Sequence, residues 1–431
     1  MDLFSNIYSG VQGTFRILDS GKVFSMKASQ IIIDMIWEKK DPNLPVRLRE
    51  AFEELGATYI KLGQFIASAP SLFPKEFTTE MERCLDRVRP LPFSVIQKVV
   101  ETELGGPLSQ FFQSVDEIPI ASASISQVHG AITREGLDVV LKVQRPDIEY
   151  TLQTDMNLIY LATVLFSRLS PGMESSGLLD IVKDFYENIL QEVDFRKEAD
   201  NIEEYDRFLI ENAENRAVVP RVYRQYSTGR LLTMERFYGV PLTDLHSIRK
   251  YTKNPQETLT TALNIWFDSL GKARIFHADV HAGNLLLLKD GRIGFIDFGI
   301  VGRISPKVWE GLLFFMQGIG TENAAMMAKG LVQMDSTSNE IDEVQFGKDL
   351  ENVLKSLREI GESVQSGNLE MIDETKMNRI MFDISDVSKR AGLKIPREFG
   401  LLIKQMLYFD RYVKILAPEM DLIRDQKLYL K

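Results

Sequence analysis

The chain has 431 residues, 44% of them hydrophobic and 26% charged, with a formal net charge of -10. That length holds one large unit or two to three lobes, and the apolar share excludes a disordered chain. The acidic balance argues against a dedicated nucleic-acid binder, because phosphate backbones attract basic surfaces. The one cysteine, Cys84, has no thiol partner within the chain, which fits a reducing compartment and a small buried side chain. The first residues lack a basic region followed by an apolar core, and no run approaches the roughly 18 apolar residues of a membrane span. A cytoplasmic protein, with peripheral attachment at the inner face of a membrane as an option, is the expectation.

Residues 45 to 115 read as helices. Leu48, Phe52, Leu55, Tyr59, Leu62 and Ile66 alternate spacings of four and three, one apolar stripe on one helix. Lys61 and Gln64 sit off that stripe, three apart and neighbours on another face. Pro70 and Pro74 are expected to end the helix. From Ser114 the texture changes. Pro119 to Ala131 is small and weakly apolar, and after Gly136 the run Val139-Val140-Leu141-Lys142-Val143 reads as a buried strand carrying one lysine, closed by Pro146.

Helical patterning resumes from Ile148 to Phe208, with a loop from Ser170 to Gly177. A strand pair is expected next, Ala217 to Tyr226 and Leu231 to Phe237, about a turn at Thr228-Gly229. Beyond Val240 the chain is mostly helical except for Phe276 to Gly299, where Leu285 to Leu288 and Ile293 to Ile296 flank the turn Asp290-Gly291. The order is a helical region, a small mixed lobe and a larger helical lobe.

The chemistry concentrates in His277-Ala-Asp-Val-His-Ala-Gly-Asn284 and Ile296-Asp297-Phe298-Gly299. An Asp, an Asn five residues on, and an Asp-Phe-Gly thirteen beyond that is the spacing used for phosphoryl transfer. Asp279 stands where a substrate hydroxyl is oriented or deprotonated. Asn284 and Asp297 supply hard oxygen ligands suited to Mg²⁺. His277 and His281 are four apart, but Ala278 stands where a zinc-protease helix has Glu, so His277 is expected to orient loop backbone instead. In a kinase fold the strand lysine meets phosphates and is anchored by a helical glutamate; Lys142 and Glu198 suit those parts, with Glu192 and Asp194 one and a half turns earlier on the same acidic helix.

Some motifs are missing. Position 266 is Trp, so Gly271-Lys272 closes no P-loop, and no G-x-G-x-x-G occurs. Ala121, Ser122, Ala123 and Ser124 begin a loop (ASASIS) that replaces a glycine-rich phosphate cover, and its side chains limit how closely backbone approaches phosphate. No Ala-Pro-Glu follows Gly299, so a standard activation loop and peptide shelf are not expected.

These residues together resemble the UbiB/ADCK family of atypical kinases, from about Arg47 to Asp421. Lys61-Leu-Gly-Gln64 is similar to its K-x-G-Q helix, Pro119 to His129 to its alanine-rich nucleotide loop, Lys142 to Pro146 to its strand-lysine motif, and Glu192-x-Asp194 to its E-x-D motif. Val280 and Ala282 stand where that family often has proline, and Ser126 where it often has glycine.

The resemblance implies an α+β, bilobal protein-kinase-like fold with an extra N-terminal helical region packed over the active site. Residues 1–113 would form that extension, 114–237 the N-lobe and 238–431 the C-lobe. It implies ATP or ADP and Mg²⁺ as cofactors, Lys61 and Gln64 turned toward the active site, and Met234, Glu235 and Phe237 at the adenine hinge. It implies kinase or ATPase activity linked to isoprenoid quinone or membrane-lipid metabolism, with a lipid or quinone precursor as partner. The apolar stripes near Ile31 to Trp37 or Leu158 to Phe166 would give peripheral membrane contact. Two other readings predict different behaviour. An aminoglycoside- or choline-type phosphotransferase would tolerate loss of the helix carrying Lys61 and Gln64, and an ATP-binding pseudokinase scaffold would show no hydrolysis.

Overall fold

Aliphatic and β-branched side chains along Asp138–Gln144 make the central strand of a sheet that organises the first part of the chain. The structure, a computed structural model, describes residues 43–67, 75–81, 89–169, 192–273, 275–281, 283–334, 342–365 and 396–417, with isolated residues between these stretches. The chain divides into two compact units, Met1–Lys197 with Val222–Arg236, and Glu198–Arg221 with Phe237–Lys431.

In the first unit, β1 (Phe112–Val115), β3 (Ser126–Thr133), β4 (Asp138–Gln144) and β6 (Leu231–Glu235) form an antiparallel sheet in that order, with β2 (Ala121–Ser122) paired to β3. Lys142 lies opposite Val128 on one side and Leu232 on the other. Alternation along β4 sends Val139, Leu141 and Val143 into a core with Ile96, Val99 and Val100 of helix α4 (Phe93–Leu104). Lys142 and Gln144, on the opposite face, are buried as well.

The helices of this unit correct the single stripe expected from the sequence. Gly56, at φ 90, ends α1 (Leu44–Leu55) with its N–H bonded to Phe52 O at 3.0 Å, and α2 (Ala57–Ala67) starts afresh. Only glycine takes that conformation without strain. The apolar positions on both helices still meet, packing Phe52, Leu55, Tyr59 and Ile66 with Met81 of α3 (Lys75–Met81) and Cys84. A Cβ on Gly63 would lie 2.6 Å from Cys84 Sγ, so a larger residue in K-x-G-Q would have to displace that buried side chain. Burial pushes the Cys84 thiol up to about 11, as expected for an inert side chain in the core. A second helical core joins Ile125 to Leu152 and Met156 of α6 (Ile148–Leu169), and Thr58 Oγ1 donates to buried Asp155 Oδ2 at 2.6 Å.

Two further expectations are corrected. Ala217 does not begin a strand paired with Leu231 to Phe237. Ala217–Val218 (β5) instead lies parallel to β10 (Ile293–Phe295) in the second unit, while Arg224–Tyr226 is a 3-10 turn. Part of the expected pairing does form, since Val222 bridges Met234 in antiparallel sense and the Tyr223 N–H bonds Thr233 O at 2.9 Å. Nor do Glu192 and Glu198 share a helix. The chain leaves helix at Val193, and α7 (Phe195–Glu211) begins after Asp194, whose Oδ1 accepts the Arg196 N–H at 3.1 Å. A short acceptor side chain at that point favours a helix start over helix interior. Ile31 to Trp37, Ala282 and the loop Ser170 to Gly177 lie outside the described residues.

In the second unit, β5, β10, β9 (Leu285–Leu288) and β7 (Gly239–Pro241) form one sheet, and β8 (Ile275–His277) pairs with β11 (Val301–Arg303). Helix α8 (Pro255–Asp268) starts where Asn254 accepts the Glu257 N–H and proline occupies the first turn. Its fully buried Trp266 sits edge-on to Phe276 and to Phe409 of α9 (Arg397–Leu416).

Candidate active site

The segment from β8 to β11 is held by buried hydrogen bonds. His277 closes β8 with its side chain fully buried. Its Nε2–H donates to Ile296 O at 2.9 Å, and its Nδ1 accepts the Asp279 N–H at 3.2 Å. This requires the neutral ring, and burial holds the imidazole below its ordinary value, outweighing the nearby Asp279 and Asp297 charges. One imidazole thus joins the backbone beside both aspartates. It orients loop backbone, as expected, and with both nitrogens so engaged it is no zinc ligand. His281 Nδ1 accepts the Gly283 N–H, and its Nε2 lies 3.6 Å from Asp279 Oδ2.

The other anchors come from distant sequence. Gln405 Nε2 donates to Ala278 O at 2.6 Å while its Oε1 accepts the Val280 N–H at 2.9 Å. Tyr412 donates to Val280 O at 2.6 Å, and Trp266 Nε1 to His277 O at 2.9 Å. Asn284 Nδ2 donates to Asp279 O at 2.9 Å, and the Asn284 carbonyl accepts the Ile296 N–H at 3.0 Å. Asp279, Asn284 and Asp297 are therefore tied into one frame. Asp297 sits at φ 62, a region non-glycine residues rarely occupy, and such strain persists where surrounding structure enforces it. The enforcement is visible. Phe298 is buried against His277 and Tyr205, with ring centroids at 4.7 and 5.1 Å, and Asn201 Nδ2 bonds its carbonyl at 3.0 Å.

The donors suit magnesium. Asn284 commits its Nδ2 to the loop, which leaves Oδ1 as the end available to a cation, and Asp297 adds a carboxylate. Mg²⁺ takes one or two such ligands and completes its shell with water and phosphate oxygens. Among the described residues, no three His, Cys, Asp or Glu side chains gather into an all-protein cation cage.

In the first unit, Lys142 is buried, its Nζ 5.5 Å from the Phe195 ring centroid. Lys61 Nζ pairs with Glu192 Oε2 at 2.8 Å, so the structure brings together one residue each from K-x-G-Q and E-x-D. Gln64 is half-buried on the same helix. Asp194 turns to Arg196 instead, bonded to its Nε at 2.9 Å. Burial raises the Asp194 carboxyl, but the Arg196 bonds and the Arg196 and Lys197 charges outweigh it and leave it lowered. In the loop, Ala121 is exposed, Ser122 and Ala123 are half-buried and Ser124 is buried. Met234 is buried and Glu235 exposed at the end of β6; Phe237 and Glu198 belong to the second unit, Glu198 buried in the first turn of α7.

Three residues escaped the sequence reading. Gln405 and Tyr412 lie more than a hundred positions from the loop they hold, and nothing local marks them. Arg145, beside the strand lysine, was legible only as part of the motif around Lys142.

The profile of the ABC1 atypical kinase-like domain matches residues 83–331. An uncharacterized aarF domain-containing protein kinase of Arabidopsis thaliana, chloroplastic by name, is 49% identical over 399 residues, covering 89% of this chain and 74% of that protein. A probable protein kinase UbiB of Photobacterium profundum is 29% identical over 410 residues, covering 92% and 72%. A Mycobacterium tuberculosis chain solved in complex with erythromycin aligns at TM-score 0.49 and 24% identity, over 85% of this chain and 93% of that one.

Proposed function

The chain belongs to the ABC1 atypical kinase-like family, that of the UbiB and aarF proteins, and from this premise we propose that it binds Mg-ATP and acts as a phosphotransferase or ATPase. The observation that carries the reading is the frame around His277, which ties Asp279, Asn284 and strained Asp297 together through hydrogen bonds to backbone atoms. Asn284 and Asp297 would hold Mg²⁺, which neutralises charge across adjacent phosphates when bound. Asp279 would orient the attacking hydroxyl or water. Lys142 would take the α/β-phosphates with Glu198 as its anchor, and Met234, Glu235 and Phe237 would meet adenine. Lys61, Gln64, Glu192 and Asp194 would complete the nucleotide end, with the Lys61–Glu192 pair as their observed core.

The acceptor class that fits this family resemblance is a lipid or quinone precursor, in support of isoprenoid quinone or membrane-lipid metabolism. No helix among the described residues is long and apolar enough to cross a membrane. Tyr160 and Leu161, adjacent and exposed on α6, offer a peripheral contact.

Equilibrium binding of MgATP and MgADP and steady-state turnover test the reading. Asp297→Asn should lower Mg-dependent turnover about a hundredfold or more, and Lys142→Ala should weaken nucleotide use comparably. Wild-type values in both variants would refute it. Turnover stimulated by liposomes or phenolic quinone precursors, and quinone profiles of a deletion strain rescued with wild type but not with Asp297→Asn, test the acceptor.

A further inference from the structure

The loop Ala121–Ile125 contains no glycine, and one side chain grips it from outside. Arg145, just beyond the end of β4, donates from Nε to Ala123 O at 2.9 Å and from Nη2 to Ser122 Oγ at 2.9 Å and Arg89 O at 3.1 Å. Its backbone N–H bonds Ile125 O at 2.9 Å. One residue therefore grips the loop at Ser122, Ala123 and Ile125 and ties it to the segment before α4.

The acceptors are all neutral. Among the described residues, no carboxylate pairs with Arg145, although its side chain is half-buried and burial lowers its basicity. A guanidinium stays charged under such conditions. Burying a cation without a carboxylate costs desolvation energy, which hydrogen bonds to neutral acceptors offset in part. Here its planar fork meets two carbonyls and a hydroxyl at once, a geometry that an ammonium cannot reproduce. Pairing of Gln144 with Ser126 and of Val143 with Gln127 fixes the fork in register with the strand that carries Lys142.

We infer that Arg145 is the positioning residue of the nucleotide loop: its fork does for an alanine- and serine-rich loop what glycine conformations do elsewhere, shaping it to receive a polyphosphate. The nucleotide part rests on the function proposed above; the clamping part stands on these bonds alone.

The test uses the full chain as wild type, Arg145→Met, Arg145→Lys and Ser122→Ala. Titration with MgATP, turnover kinetics and amide hydrogen exchange at Ala123 and Ser124 without nucleotide are measured together. Arg145→Met should raise the MgATP Kd and KM about tenfold with kcat within about twofold, and speed loop exchange by a similar factor, while far-UV dichroism is unchanged. Arg145→Lys should recover less than half of the loss, and Ser122→Ala should cost about twofold. Should Arg145→Met fail to fold, the other two variants decide. Wild-type affinity in Arg145→Met, or full recovery in Arg145→Lys, overturns the role of the fork. Unchanged loop exchange overturns the clamp. A wild-type chain that binds no MgATP removes the proposed function and the nucleotide role together, with the exchange result still deciding the clamp.

Discussion

Two loops of this protein are held still by opposite chemistry. In the first unit the alanine-rich loop hangs on a charged, half-buried guanidinium that bonds neutral acceptors. In the second, the loop carrying Asp279 and Asn284 is held by neutral groups with no exposure at all, His277 and Gln405. The buried support is rigid because each polar atom already has its partner and water is excluded, so any loss leaves an orphan. The charged support keeps contact with solvent and can be reweighted by an anion. Under the function proposed above, the charged support would serve a loop that admits and releases nucleotide, and the buried support a loop that holds reacting groups at fixed positions.

The contrast can be broken most sharply at Gln405. Gln405→Leu leaves Ala278 O and Val280 N–H without their partner in a closed interior and should cost about 2–4 kcal/mol in denaturant unfolding, with turnover falling alongside. An unchanged midpoint would mean that α9 does not hold the loop.

A pH series sharpens the same point. The buried imidazoles of His277 and of His129 lie below the ordinary histidine value of 6.5, each chiefly through desolvation. His129 Nδ1–H bonds Asp116 O at 2.8 Å while its Nε2 accepts from Gln127, so it too is neutral. Because the unfolded chain binds these protons and the folded one does not, stability is full above pH 6.5 and falls as pH drops below it toward the folded values. Melting temperature should decline on acidification from neutrality, and His277→Gln should flatten that decline.

Tyr412→Phe, which removes one bond to Val280 O, should cost about 1 kcal/mol by the same unfolding measurement. The smallest effect is expected in the first unit. A double-mutant cycle of Lys61→Met and Glu192→Gln should give a coupling of about 0.5–1 kcal/mol, since both side chains retain some solvent contact. A coupling of zero would make the pair incidental.

The Asp, Asn and Asp-Phe-Gly spacing was legible because it falls within one loop and one hairpin, which hydrogen bonds from His277 and Asn284 tie together. The strand around Lys142 was legible from its unbroken aliphatic run, and the orienting role of His277 from the wrong neighbour for zinc. The break at Gly56 was hidden because apolar spacing continues across it. The start of α7 at Phe195 was hidden because acidic residues on both sides looked like one helical face. Ala217–Val218 was misread since its partner, β10, lies some seventy-five positions away.

Motif resemblance determined the family, and local spacing the α+β class and the candidate residues for its chemistry, because those depend on side-chain type and on separations shorter than one loop. Which groups hold those residues in place (Gln405, Tyr412, Arg145 and the partner of Lys61) was decided only when the chain folded. Hydrogen bonds and ion pairs form between whatever side chains packing brings within 3 Å, and sequence distance places no limit on that.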